Sequence, residues 1–380
     1  MTTSFNEWAN PGVLALSPYQ PGKPIEEVAR EFGLTHIVKL ASNENPLGPS
    51  PKALTAIATH QTQCARYPDA SGYALKQKLA EIWQIDPCQL TLGAGSEALF
   101  LLIAQTFVKP GETIMVSEYA FATFAIVAHL AQAQLCTVPA LHWGNDLEAM
   151  LQAITPDTRL LFIANPNNPT GTWHDQKTLS AFLDALPKHV IVVLDEAYAE
   201  FMTHEPTYPN SRELLKKYPH VIITRTFSKL YGLAGLRLGY ALSDPEAARI
   251  LHRAKLPFNV SGIAMVAGMA ALEDSEHQRA TLENNNQGMR VFRETFDTWS
   301  LPYLPVTCNF ITVQLPVNAL AVYNTLLEKG MIVRPLLAYG LPDYLRISIG
   351  TMPENLKFLT LFWEILCHLS LLDIPPKNLM

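Results

Sequence analysis

Val221-Ile-Ile-Thr-Arg-Thr-Phe-Ser-Lys229 opens on an apolar run of strand length and delivers a lysine where the run ends, and Leu230-Tyr-Gly-Leu-Ala-Gly-Leu-Arg237 follows with an arginine. The same pattern recurs upstream. Val190-Ile-Val-Val-Leu194 is uncharged and fit for a parallel strand buried on both faces, and it ends in Asp195-Glu-Ala-Tyr198. Further upstream, Leu160-Leu-Phe-Ile-Ala164 ends in the turn-rich Asn165-Pro-Asn-Asn168-Pro-Thr-Gly171. Three such ends converge on one crevice at the carboxyl edge of a sheet, where ligands of open α/β sheets bind. The pattern therefore brings Lys229, Asp195, Tyr198 and Asn168 together.

Taken singly, a lysine or an arginine at a strand end is ordinarily a solvated surface charge. The joint spacing reverses that reading, because the set suits pyridoxal phosphate. A lysine amine (Lys229) can form a Schiff base with its aldehyde, and a buried aspartate (Asp195) can keep the ring nitrogen protonated so that the ring accepts electrons. Tyr198 and Asn168 can hydrogen-bond the phenolic oxygen. Thr226 and Ser228 offer hydroxyls to the phosphate, Arg237 a planar fork, and Gly93-Ala94-Gly95-Ser96 free amides at a helix start. Tyr119, after the strand Thr113-Ile-Met-Val116, is placed to stack on the ring. Gly93-x-Gly-x-x-Ala98 with Glu118 downstream also imitates a dinucleotide fingerprint. A nicotinamide dehydrogenase, however, leaves Asp195, Tyr198, Lys229 and Arg237 without a task.

On these residues the chain resembles the fold-type I pyridoxal-phosphate aminotransferases, and among them the histidinol-phosphate aminotransferases. Motifs similar to theirs occur in order over nearly the whole chain: Leu16-Ser-Pro-Tyr19, Leu40-Ala-Ser-Asn-Glu-Asn-Pro-Leu-Gly48, Arg66-Tyr-Pro-Asp69, the glycine turn, Asn168 to Gly171, Asp195 to Tyr198, Ser228-Lys229, Arg237, Arg334 and Leu345-Arg-Ile-Ser-Ile-Gly350. The resemblance implies phosphate contacts from Ala94, Gly95, Ser228 and Arg237, and a homodimer in which Tyr67 reaches the partner subunit's cofactor. It also implies that Arg346 grips the anionic end of the substrate. Tyr19, Asn168, Arg334 and Arg346 form the expected substrate set. If the substrate is histidinol phosphate, which has no carboxylate, Arg346 must take a phosphate in one half-reaction and the carboxylate of glutamate in the other. The apolar loop Pro335–Pro342 then leaves room for an aromatic side chain.

At 380 residues, 48% hydrophobic and 16% charged, the chain can bury a large core and has length for about two domains. The alternation of strands and helices predicts an α/β fold. Its large domain, residues 36–275, is a three-layer α/β/α unit with a mainly parallel sheet. A proline-punctuated extended arm, 1–35, precedes it, and a smaller α+β domain, 276–380, follows. In that last part strands are expected at Phe310–Leu315, Met331–Arg334 and Leu345–Ile349. A net charge of -6 argues against a nucleic-acid surface. The five cysteines have no metal-binding spacing and read as reduced, mostly buried thiols, and the first ten residues have no apolar signal core, so a cytoplasmic home is expected. Tyr119–Asn145 lacks charged residues, but His129, Gln132, Gln134 and Pro139 oppose a membrane span. A buried helix over 121–131 and a strand over 134–139 are predicted instead. An aromatic amino-acid aminotransferase, a decarboxylase acting on an amino-acid phosphate and a cofactor-sensing regulator are the competing functions. The last lacks a DNA-binding module, because the segment before Lys39 is too short and proline-rich for one.

Overall fold

The structure is a computed structural model and describes residues 4–18, 22–369 and 371. Its strands are β1 (Val38–Lys39), β2 (Leu90–Gly93), β3 (Thr113–Ser117), β4 (Gln134–Val138), β5 (Thr158–Ala164), β6 (Ile191–Asp195), β7 (Val221–Thr226), β8 (Gly239–Leu242), β9 (Phe310–Gln314), β10 (Met331–Ile332), β11 (Arg334–Leu336) and β12 (Leu341–Ser348). A seven-stranded sheet runs β2-β8-β7-β6-β5-β3-β4. Only β8 opposes its neighbours, pairing antiparallel with β2 and β7, so the sheet is mainly parallel as expected.

Both faces of this sheet are dry, which is why its strands read as continuous apolar runs rather than as alternations. Leu160, Phe162, Val193 and Ile222 pack on one face with Leu99, Phe100, Ile103 and Phe124 from the helices Ser96–Phe107 and Thr123–Leu130. Leu161, Ile163, Leu194 and Ile223 face the other side, against helices that include Gln176–Ala185 and Gly262–Leu272. Three layers result. The charge-free run therefore folds as the buried helix Thr123–Leu130, slightly shorter than expected, followed by β4. Among the described residues no helix is long and apolar enough to cross a membrane.

A separate sheet, β11-β12-β9, forms the C-terminal region, packed by the helices Ser275–Thr298 and Met352–His368 around Phe292, Phe296, Phe358 and Phe362. The strand expected over 331–334 is divided here. Met331–Ile332 pairs in parallel with β1, whereas Arg334 begins β11, an edge strand that tolerates Pro335 because an edge can spare an N–H. The expected loop 335–342 is likewise a hairpin, with Leu336 paired to Leu341 around a turn that Gly340 closes in the left-handed region.

Two other expectations are corrected. The N-terminal segment is not extended but holds the helices Phe5–Trp8, Pro11–Leu14 and Ile25–Phe32. Its prolines start helices instead of forbidding them: Pro11 occupies a first turn and Pro24 the position before one. Val28 and Ala41 then pack on Leu327 and Ile332 of the C-terminal region. The cysteines are free thiols, but only Cys308 is buried, while Cys64 and Cys88 are exposed.

Candidate active site

Parallel register sets the site. Ala164 of β5 pairs with Asp195 of β6, and Asp195 pairs with Thr224 of β7, so the polar segments that follow these strands leave the sheet at one level. They border a cavity of about 450 Å³ lined by Asn168, Asp195, Tyr198, Thr226, Ser228, Lys229, Arg237, Arg334 and Arg346, together with Ser96 of the glycine turn. The wall thus holds four of the chain's cationic side chains.

Asp195 accepts a hydrogen bond from Thr224 Oγ1 at 3.1 Å. Burial pushes its carboxyl up to about 7, with the neighbouring Glu196 adding repulsion, while the Thr224 bond and Lys229 pull the other way. A buried carboxylate in this state wants a cationic partner, which a protonated ring nitrogen supplies. Lys229 Nζ donates to Ser42 O at 3.3 Å and lies 5.6 Å from the centre of the Tyr198 ring. Burial brings its amine down to about 8, and Arg346 and Arg237 reinforce the shift. In cofactor-free protein, Lys229 should therefore react with an amine-directed reagent along a pH profile centred near 8, against 10.5 for an ordinary lysine. Peptide mass spectrometry across pH reads this, and a midpoint near 10.5 would show that the amine is solvated.

At the other end of the cavity Gly95 adopts φ +84, a conformation that L side chains avoid, and a Cβ there would lie 2.6 Å from Arg237 Nη2. Arg237 itself has φ +52 and donates to Ser228 Oγ at 3.4 Å and Glu97 Oε2 at 3.3 Å. Backbone, hydroxyl and guanidinium thus crowd one corner at the start of the helix Ser96–Phe107, a cradle for phosphate oxygens. The donor set, the lysine and the buried carboxylate fit pyridoxal phosphate. Thr226 sits beneath this corner, its Oγ1 accepting from the Ser228 N–H at 3.1 Å.

Arg346 is 7% exposed; it donates through Nη1 to Asn168 Oδ1 and through Nη2 to Ala41 O at 2.8 Å, while its buried Nε has no hydrogen-bond partner among the described residues. Tyr198 is buried, and the loss of solvent keeps its phenol protonated by raising its pKa, against the pull of Arg346.

Other expected residues lie elsewhere. The Tyr119 ring packs against Trp143, centroids 5.6 Å apart, and Trp143 in turn against Tyr344, whereas Phe121 lines the cavity. Tyr67 is 82% exposed, stacks on Phe258 and lines a second hollow of about 860 Å³. Tyr19 lies outside the described residues. Sequence reasoning assigned no role to Asn43, Glu44, Phe121 or Tyr339, all of which line the cavity. Asn43 and Glu44 belong to the polar run Ser42–Asn45 after an apolar pair, a signal for a functional turn, but nothing local names their partners.

Similarity to known proteins extends over nearly the whole chain. The family described as aminotransferase class I and II matches residues 35–360. Histidinol-phosphate aminotransferase 1 of Nitrosococcus oceani is 46% identical over 362 residues, covering 95% of this chain and 98% of that protein. Histidinol-phosphate aminotransferase 2 of Pseudomonas aeruginosa is 46% identical over 368 residues, covering 96% and 100%. The crystal structure of the histidinol-phosphate aminotransferase from Sinorhizobium meliloti in complex with pyridoxal-5'-phosphate superposes with a TM-score of 0.86 at 30% identity, covering 95% of this chain and 98% of that one.

Proposed function

This chain belongs to the aminotransferase class I and II family of pyridoxal-phosphate enzymes, and we propose that within it the protein transfers the amino group of histidinol phosphate to 2-oxoglutarate, a step of histidine biosynthesis. One observation carries the substrate reading. In the β11–β12 pair Arg334 stands directly opposite Arg346, and both line the cavity. Two planar guanidinium forks on one cavity wall suit a dianion better than a single carboxylate.

Bound pyridoxal phosphate supplies an aldehyde that takes up the amino group and a ring that draws electrons from the substrate carbon. The protein does the rest. Arg237, Ser228, Thr226 and the amides of Ala94, Gly95 and Ser96 hold the cofactor phosphate. Asp195 holds the proton on the ring nitrogen, and Tyr198 and Asn168 direct hydrogen bonds to the ring oxygen. Lys229, with its amine lowered to about 8, takes the proton from the substrate carbon and returns it on the other side of the transfer. Arg346 and Arg334 orient the anionic end, with Tyr19 as a further donor. The active unit is a homodimer in the cytoplasm, with Tyr67 completing the partner's cofactor site. Its exposed ring beside a large hollow supports that placement.

Hydrogen bonds to charged groups contribute about 1.5–3 kcal/mol each, so Arg334→Gln should cost roughly 10 to 100-fold in single-turnover rate with histidinol phosphate and much less with glutamate. Arg346→Ala should impair both half-reactions. A wild type that prefers phenylalanine to histidinol phosphate, or an Arg334→Gln enzyme slowed equally with all three donors, would establish the aromatic aminotransferase instead.

A further inference from the structure

Asn43 is 1% exposed and sits in the left-handed region at φ 55, a conformation that asparagine tolerates better than most side chains. Every polar group it carries is engaged. Its N–H donates to Ser348 Oγ at 2.8 Å, and its C=O accepts from Asn309 Nδ2 at 3.0 Å. The Ser348 hydroxyl, already an acceptor, gives its one proton to Asn43 Oδ1 at 3.0 Å. In this arrangement the amide oxygen faces Ser348 and the Nδ2 faces Tyr198, whose phenol oxygen it meets at 2.8 Å.

A phenol oxygen that accepts from an amide must send its own proton elsewhere. Phe310 stacks edge-on against the Tyr198 ring at 5.5 Å, and the remaining open side of Tyr198 is the cavity. We propose that Asn43 is the positioning residue for the Tyr198 hydroxyl: held by Ser348 and Asn309 of the C-terminal region, it donates to the phenol oxygen and so turns the phenol's proton into the cavity, onto the ring oxygen of the cofactor. This rests on the reading that Tyr198 meets that oxygen. Aspartate would offer an acceptor where a donor is required, and glycine would keep the backbone but lose the amide.

The consequence is spectroscopic. A donor to the ring oxygen favours its anionic form and lowers the pH at which the visible absorption of the holoenzyme titrates, so losing the donor raises that midpoint. The groups that face the phenol, Arg346, Cys308, Asp195 and Lys229, stay in place in every variant. The experiment is a spectrophotometric pH titration of holoenzyme for wild type, Asn43→Gly, Asn43→Asp, Tyr198→Phe and the Asn43→Gly/Tyr198→Phe double variant, with far-ultraviolet circular dichroism to verify folding. Asn43→Gly, which accepts the positive φ, should move the midpoint up by about half to one pH unit. Asn43→Asp should move it further, since its carboxylate captures the phenol proton and adds negative charge. In the Tyr198→Phe background the Asn43→Gly shift should vanish. A wild-type midpoint in both Asn43 variants while Tyr198→Phe shifts overturns the proposal, as does an Asn43→Gly shift that persists without the phenol. If Tyr198→Phe leaves the midpoint unmoved, the placement of Tyr198 fails and the proposal falls with it.

Discussion

Lys229→Ala is expected to leave a folded protein that still takes up pyridoxal phosphate and has lost transamination. The amine is buried and donates to Ser42 O, so its removal deletes a group that burial itself disfavours in charged form. The truncation should therefore not lower the melting midpoint. Without the lysine the cofactor would be held by the phosphate corner and by Asp195, Tyr198 and Asn168 alone, and dialysis should strip it faster than from wild type. Activity is another matter. Proton transfer by a positioned side chain is worth roughly 10² to 10⁴-fold. The Tyr198 phenol is held in its protonated form by burial and cannot take the lysine's place. The rate of either half-reaction should fall by at least that factor, as stopped-flow single turnovers would show. Near-normal turnover would sink the assignment of Lys229.

The second large effect concerns stability. Behind the site, on the face of the sheet away from the cavity, Arg225 donates through Nε to Glu196 Oε2 at 2.8 Å and through Nη1 to Glu200 Oε1 at 3.1 Å. Its guanidinium also stacks 4.9 Å above the Trp83 ring, and Ser211 Oγ donates to Glu196 at 2.7 Å. Arg225→Leu leaves two carboxylates facing each other without a cation. Breaking a buried pair in this way costs on the order of 3–5 kcal/mol. At roughly 2 cal/mol/K of unfolding entropy per residue, a chain of this length should melt about 4–6 °C lower. The pH dependence gives a sharper signature. Glu200 already has its pKa raised by burial, despite the pull of Arg225, and without that pull it must rise further. A carboxyl raised in the folded state stabilises below its unfolded pKa, and the contribution is lost as pH rises through the folded value. The deficit of Arg225→Leu relative to wild type should thus be larger at pH 8 than at pH 5. A melting curve that matches wild type at pH 8 would mean the charges are solvated.

The parts of this molecule that sequence made legible are those in which local pattern and burial coincide. β5, β6 and β7 are buried on both faces, so their apolar runs and the polar residues after them marked Asn168, Asp195 and Lys229 without any knowledge of pairing. Contacts set by long-range pairing stayed hidden. That Arg334 faces Arg346 depends on the register of a hairpin that read as a loop, because Pro335 and Gly340 look like turn residues while Leu336 and Leu341 pair. Met331–Ile332 and Arg334–Leu336 read as one strand because no periodicity announces a change of sheet between them. Tyr119 follows β3 as expected, but its ring is claimed by Trp143, which sits on a tight turn whose left-handed φ of 68 gives no sequence signal. Asn43 is the extreme case: its partners are a serine and two residues of unrelated motifs, and only the assembled chain explains its identity.

The tie between Asn43 and Ser348, and between Ala41 and Arg346, joins residues 305 positions apart. On a ribosome that adds about 5–20 residues each second, the N-terminal strap must wait roughly 15–60 s for the strand that receives it. Until then Leu40, Ala41 and Val28 have no core to enter, since the surfaces that bury them are the last to be made. The strands of the large sheet precede the C-terminal region in the chain, whereas the wall that carries Arg334 and Arg346 lies within it. A chain without its C-terminal region would leave Val28, Leu40 and Ala41 without the apolar partners that bury them.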